Sequence, residues 1–202
     1  MMLVRGLLVM LVMLLAVSAE AQMIDGRPSV VLEGRVAQVA VDLGGGSIVG
    51  FQFKDQRLNP LSWTSDEPRQ AHPMGHFLCL DRWGAPSEAE SKNSMPFHGE
   101  ASHVPWTVER QPGAAGDAIQ AKMAATLPMA AFKVARSLRL ADGVALLRVT
   151  ESVTNTNKLG RVYNMVQHPS IAPPFLDETT VVDANGRKGF MQSSPLPNPE
   201  EP

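Results

Sequence analysis

The chain has 202 residues and a formal net charge of -2 at pH 7. That length suits one domain with a real core, and that charge leaves no basic surface to attract nucleic acid. The single cysteine, Cys79, excludes an intrachain disulfide and two-cysteine zinc motifs, and 16 glycines with 16 prolines favour turns and short strands over long helices.

The first 21 residues read as an export signal. Arg5 is a short positive region, Gly6 to Val17 an apolar run, and Ala19-Glu20-Ala21 a small-x-small ending. The run is short against the ~20 residues of a bilayer span, so cleavage after Ala21 is expected instead of a membrane anchor. The mature chain is then periplasmic or secreted, with no stable membrane span.

Gln22 to Ser29 reads as a polar lead-in. Val30 to Leu43 reads as one strand, with Val39, Val41 and Leu43 alternating with Ala40 and Asp42. Gly44-Gly45-Gly46 interrupts it as a hairpin turn. It is not a phosphate loop, because no Gly-Lys-Ser/Thr ending and no helical pattern follow. Ser47 to Lys54 is the returning strand. Asp55 to Pro73 is turn-rich, with Trp63 as an edge cover and His72 as a surface histidine. Gly75 to Leu80 is a short strand that starts on His76, a satisfied and partly buried histidine, and is closed by Asp81 to Gly84. Ala85 to Asn93 is charged and has room for a short helical turn.

Asn93 to Trp106, NSMPFHGEASHVPW, is a polar loop between apolar runs. Val104 to Glu109 follows as strand and Gln111 to Gly116 as turn. Ala118 to Leu127 and Met129 to Leu140 are the next strands. Phe132, Val134, Arg136, Leu138 and Leu140 set up a period-two pattern, and Pro128 opposes a long helix. Asp142-Gly143 is the signal for a tight hairpin turn into Val144 to Val153. Asn155 to Lys158 is a turn, and Arg161 to Val166 and Thr179 to Val182 are strands. Asn185-Gly186 is a turn, and Ser193 to Pro202 is a proline-rich tail. The simplest architecture is all-β: antiparallel strands in two packed sheets, a β-sandwich.

Two loops carry the chemistry. His98 lies in Asn93 to Trp106, and His168 lies in Tyr163 to Phe175, YNMVQHPSIAPPF. Histidines in loops at strand ends can transfer protons near neutral pH. Arg82 offers a planar fork of donors suited to sugar hydroxyls or a carboxylate, or else a salt bridge to Asp81 or Glu88. A metal site on His98, His103 and His168 with Glu100 is the competing idea. The His98 to His103 spacing is not that of ligands one helical turn apart, and Pro105 opposes a helix, so neither metal nor cofactor is expected. Histidines bonded to loop backbone in a purely structural role remain an open reading. Cys79 is expected as core filler.

At these stretches the sequence resembles the aldose 1-epimerase, or galactose mutarotase-like, superfamily. Phe97-His98-Gly99-Glu100 with Val104-Pro105-Trp106 resembles the family's histidine-glycine loop and downstream tryptophan. Asn164-Met165-Val166-Gln167-His168 resembles the segment in which an asparagine precedes the second active-site histidine by four. The resemblance implies a large antiparallel β-sandwich that interconverts the anomers of a free monosaccharide. It implies His168 as the acid at the ring oxygen and His98 as the polarising donor. Arg82, Asn164, Gln167 and Trp106 become substrate-binding residues, and no cofactor is needed. The family's base, a glutamate far towards the C-terminus, has no counterpart before Pro202. The expected organisation is therefore a leader over 1–21, a partial mutarotase-like sandwich over 22–192 and a tail over 193–202, with weak or absent turnover. A non-catalytic carbohydrate-binding sandwich and a structural sandwich with incidental histidines are the alternatives.

Overall fold

The computed structural model describes residues 21–188 other than 57, 62–74, 172, 174 and 184. The leader before residue 21, Trp63, His72 and the tail lie outside the described residues. Among the described residues no helix is long and apolar enough to cross a membrane.

Two antiparallel sheets form a β-sandwich. In chain order the elements are β1 (Gln22–Ile24), β2 (Arg27–Glu33), β3 (Ala37–Asp42), β4 (Ile48–Phe53), β5 (His76–Leu80), α1 (Glu88–Lys92), β6 (Thr107–Ala115), β7 (Ala118–Leu127), β8 (Phe132–Ala141), β9 (Leu147–Asn155) and β10 (Met165–Pro169). One sheet runs β1-β2-β3-β4-β5-β10 and the other β6-β7-β8-β9. Alternation decides which side chains meet between them. Leu32, Val39, Val41, Leu78 and Leu80 of the first sheet share one core with Met123, Leu127, Phe132, Val134, Leu138 and Leu140 of the second. Each such burial contributes about 1.5–3 kcal/mol.

Several expected boundaries move, each for a local reason. Val30 to Leu43 is two strands: the chain folds back at Gly34, whose N–H donates to the Ala37 carbonyl at 3.0 Å. The fold-back pairs Val30 with Val41 and Leu32 with Val39, so both halves face the same core. The lead-in contains β1, paired to β2. β6 runs through the expected Gln111 to Gly116 turn, absorbing it as register shifts between Val108 and Gly113. Asp142-Gly143 is no tight two-residue turn, since pairing closes only at Leu140 and Leu147 and neither residue has positive φ. The Asp142 carboxylate instead accepts the Arg35 backbone N–H at 3.0 Å and its guanidinium at 2.6 Å. Thr179 to Val182 is not a strand. The short helical turn does form as α1, with Ser87 and Glu90 as a reciprocal capping box.

Candidate functional site

Strand β10 lies against β5 in a register that pairs His168 with Phe77 and Gln167 with Leu78. Successive residues on a strand point to opposite faces. Leu78 faces the core between the sheets, so Gln167 faces it too, and His168 faces outward with Phe77. His168 therefore sits within a strand and not in the loop expected from the prolines around it. Its ring stacks on Phe77, with centroids 4.4 Å apart.

The second histidine arrives by the loop after α1. His98 has φ 66, a conformation rare for a residue with a side chain, and Gly99 follows with φ 79. A Cβ on Gly99 would stand 2.4 Å from the Leu80 carbonyl oxygen, so the loop presses directly on the end of β5 and only glycine fits. Gly84 fixes His98 from both sides. The His98 N–H donates to the Gly84 carbonyl at 3.0 Å, and the Gly84 N–H donates to His98 Nδ1 at 3.1 Å. Because Nδ1 accepts, the neutral ring carries its proton on Nε2. Burial, then the neighbouring His168 and His103 charges, push the His98 pKa down from 6.5 to about 4, so at neutral pH it is a neutral Nε2–H donor.

The two imidazoles come together, with centroids 5.4 Å apart. Trp83 packs against both, at 4.7 Å from His98 and 5.2 Å from His168. Phe97 meets His98 edge-on at 4.2 Å. His168 Nδ1 is buried with no hydrogen-bond partner among the described residues. A buried polar atom left so costs about 1–3 kcal/mol and calls for an explanation.

Beyond Trp83 opens a cleft of about 680 Å³, lined by Asp81, Arg82, Trp83, Glu90, Arg161 and Asn164 among others. Arg82 pairs with Glu90, not with Asp81 or Glu88, and Glu90 also accepts from the Ser87 hydroxyl at 2.6 Å. Arg161 reaches both oxygens of Asp81, at 2.6 and 2.7 Å, and the Ala130 carbonyl at 2.8 Å. Residues 161–164 lie outside the expected strand, which begins only at Met165.

Two of the expected substrate-binding residues belong elsewhere. Trp106 is 3% exposed, its indole N–H donates to the Ala101 carbonyl at 2.9 Å, and Arg136 lies 4.2 Å over its ring. A Cβ on Gly46 would be 2.5 Å from that indole, so the triple-glycine turn seats Trp106 in the core. Gln167 joins a network on the core side: its amide donates to Glu151 at 2.6 Å and its carbonyl faces His76 Nε2 at 2.8 Å. Glu151 in turn takes the Arg136 guanidinium at 2.7 Å. Trp106 is thus core filling, and the Gln167 side chain lies on the opposite face of β10 from His168. The signal for this network was in the sequence: Arg136 interrupts the apolar row of β8, and Glu151 stands directly opposite it on β9.

Glu100 is buried and accepts the N–H groups of Met129 and Ala130 at 3.1 and 2.7 Å, so it ties the loop to the β7–β8 turn. His103 holds the Phe97 carbonyl at 3.1 Å. Among the described residues no group of three or more His, Cys, Asp or Glu is placed to hold a metal ion. Cys79 is buried, and desolvation raises its thiol pKa to about 11, away from a nucleophile's range.

No family model matches the sequence, and no curated protein matches it. A solved structure described as "Crystal Structure Analysis of HI1317" is similar over part of its length, at 16% identity and a TM-score of 0.43. The match covers 56% of this chain and 41% of that one.

Proposed function

We propose that the His98–His168 cluster is the sugar site of an aldose 1-epimerase-like protein, exported to the periplasm or beyond. The observation that carries this is the convergence of two sequence-distant histidines, one fixed as a neutral Nε2–H donor and the other with an unpartnered buried nitrogen, beneath one exposed tryptophan. In the reaction His168 gives a proton to the ring oxygen of an aldose while the C1 hydroxyl loses one. The C1–O5 bond breaks, the aldehyde rotates, and reclosure delivers either anomer. His98 donates a hydrogen bond and polarises the same oxygen.

The proton from the C1 hydroxyl needs a base. Asp81 and Glu90 are committed to arginines, and Glu100 to backbone N–H groups. That commitment favours a second reading, sugar binding with little turnover. Polarimetry of α-D-galactose and α-D-glucose separates the two. Turnover that falls about 10²–10⁴-fold in His168→Ala supports the epimerase. Binding without acceleration selects the second reading. Acceleration indifferent to both His98→Ala and His168→Ala overturns the histidine site.

A further inference from the structure

The net charge of -2 is an average over the chain, and the outer face of the second sheet departs from it. The inward positions of β7, β8 and β9 hold residues of the core side such as Met123, Val134 and Val149. Lys122, Lys133, Arg139 and Arg148 alternate with them and point outward. Arg110 of β6 stands opposite Lys122 and shares that face. Lys122, Lys133 and Arg148 have neither a hydrogen bond nor an ion pair among the described residues. Arg110 holds the Gln120 side-chain oxygen at 3.2 Å, and Arg139 pairs with Asp117. Away from this face, each described arginine and lysine from Arg27 to Arg136 has a carboxylate partner.

Like charges also stand directly across from one another there. Arg110 opposes Lys122, and Arg139 opposes Arg148. Such pairs bring their Cβ atoms to ~5 Å and destabilise a sheet. Little on the sheet offsets them. Glu151 turns inward to Arg136 and Asp142 is held by Arg35, which leaves Asp117 and the bulge residue Glu109 beside five cations. Cations kept together at a cost, and mostly unpaired, fit a surface that is neutralised from outside. The size of the patch narrows the choice of anion. Lys133 and Arg139 are six residues apart on β8, ~20 Å, and β6 to β9 is three strand spacings, ~14 Å. One phosphate group cannot span that area, whereas a layer of headgroups can. No aromatic side chain stands at an outward position of this sheet, so a single-stranded nucleic acid finds nothing to stack on.

We infer that the outer face of the β6–β9 sheet is an electrostatic docking surface for an anionic phospholipid bilayer. The face has no large apolar side chain to insert, so docking is peripheral, reversible and sensitive to salt. His168 points outward from the other sheet, so a chain docked in this way keeps the His98–His168 cluster on the side turned from the bilayer. Docking is independent of what that cluster binds.

The test is co-flotation of the chain with vesicles of phosphatidylcholine, alone or mixed with phosphatidylglycerol. The chain starts at Gln22, because the apolar run from Gly6 to Val17 would enter any bilayer. Binding to the mixed vesicles alone is expected at low salt, with loss at about 1 M salt, where the Debye length is about 3 Å. Lys122→Gln and Arg148→Gln are each expected to weaken it about fivefold. Lys92→Gln makes the same charge change on α1, off this face, and is expected to leave binding unchanged. No binding at low salt, equal binding to the neutral vesicles, or equal weakening by Lys92→Gln overturns the docking face. A single-stranded oligonucleotide that displaces the chain from the vesicles at equal phosphate concentration overturns the bilayer as its occupant. Lys122→Gln decides the matter even if Arg148→Gln does not fold.

Discussion

Neighbouring residues of β10 serve two polar clusters that differ in almost every physical respect. Gln167 turns inward to Glu151, Arg136 and His76, and every link there is a short hydrogen bond. His168 turns outward to His98 and Trp83, where the contacts are ring against ring and one buried nitrogen has no partner among the described residues. The inner cluster joins edge strand β10 of one sheet to edge strand β9 of the other, so it closes the side of the sandwich. Its polar groups are engaged with one another. The outer cluster leaves His168 Nδ1 without a partner among the described residues and part of the Trp83 ring exposed. A side-chain hydrogen-bond partner, more than residue type, separates His76 from His168, whose Nδ1 has none among the described residues.

The largest expected effect breaks the inner cluster. Arg136→Met leaves the Glu151 carboxylate, whose side chain is 4% exposed, without its cation. A loss of about 3–5 kcal/mol is expected in urea unfolding, with much of it restored in the double variant Arg136→Met/Glu151→Leu. His168→Ala should cost far less in the same assay. If the two costs are alike, the inner and outer clusters are not distinct in kind.

A smaller effect concerns the support of the outer cluster. Glu100→Ala removes the acceptor for two backbone N–H groups, that of Ala130 buried, and should cost about 1–3 kcal/mol. It should also loosen the loop that carries His98, seen as faster amide exchange at Gly84 and His98. Unchanged exchange there would mean that Gly84 alone holds His98.

The smallest expected effect is on pH. The folded chain holds His98 neutral down to about pH 4, whereas an unfolded histidine takes a proton near 6.5. Between those values the unfolded state binds more protons, so stability falls as pH drops through this window and is level above it. Burial lowers the His76 pKa as well, and it acts in the same direction. The urea midpoint should drop between pH 7 and pH 4.5, and His98→Gln should drop less. An equal drop in both would assign the slope to His76 and the inner cluster.

The all-β class, most of the strand positions and room for a short helical turn were legible in the sequence alone. These follow from local rules: period-two alternation and turn-forming residues act within a few neighbours. Tertiary structure decided what faces what. Whether Val30 to Leu43 is one strand or two depends on which surface its apolar residues must cover. Whether Trp106 is a sugar platform or core filling depends on Gly46 and Arg136, distant in the chain. The parity of β10 sends Gln167 inward and His168 outward, and that parity is set by its register on β5. Register is a pairing between residues far apart in sequence, stabilised by burial on one face, so no local pattern around His168 could fix it.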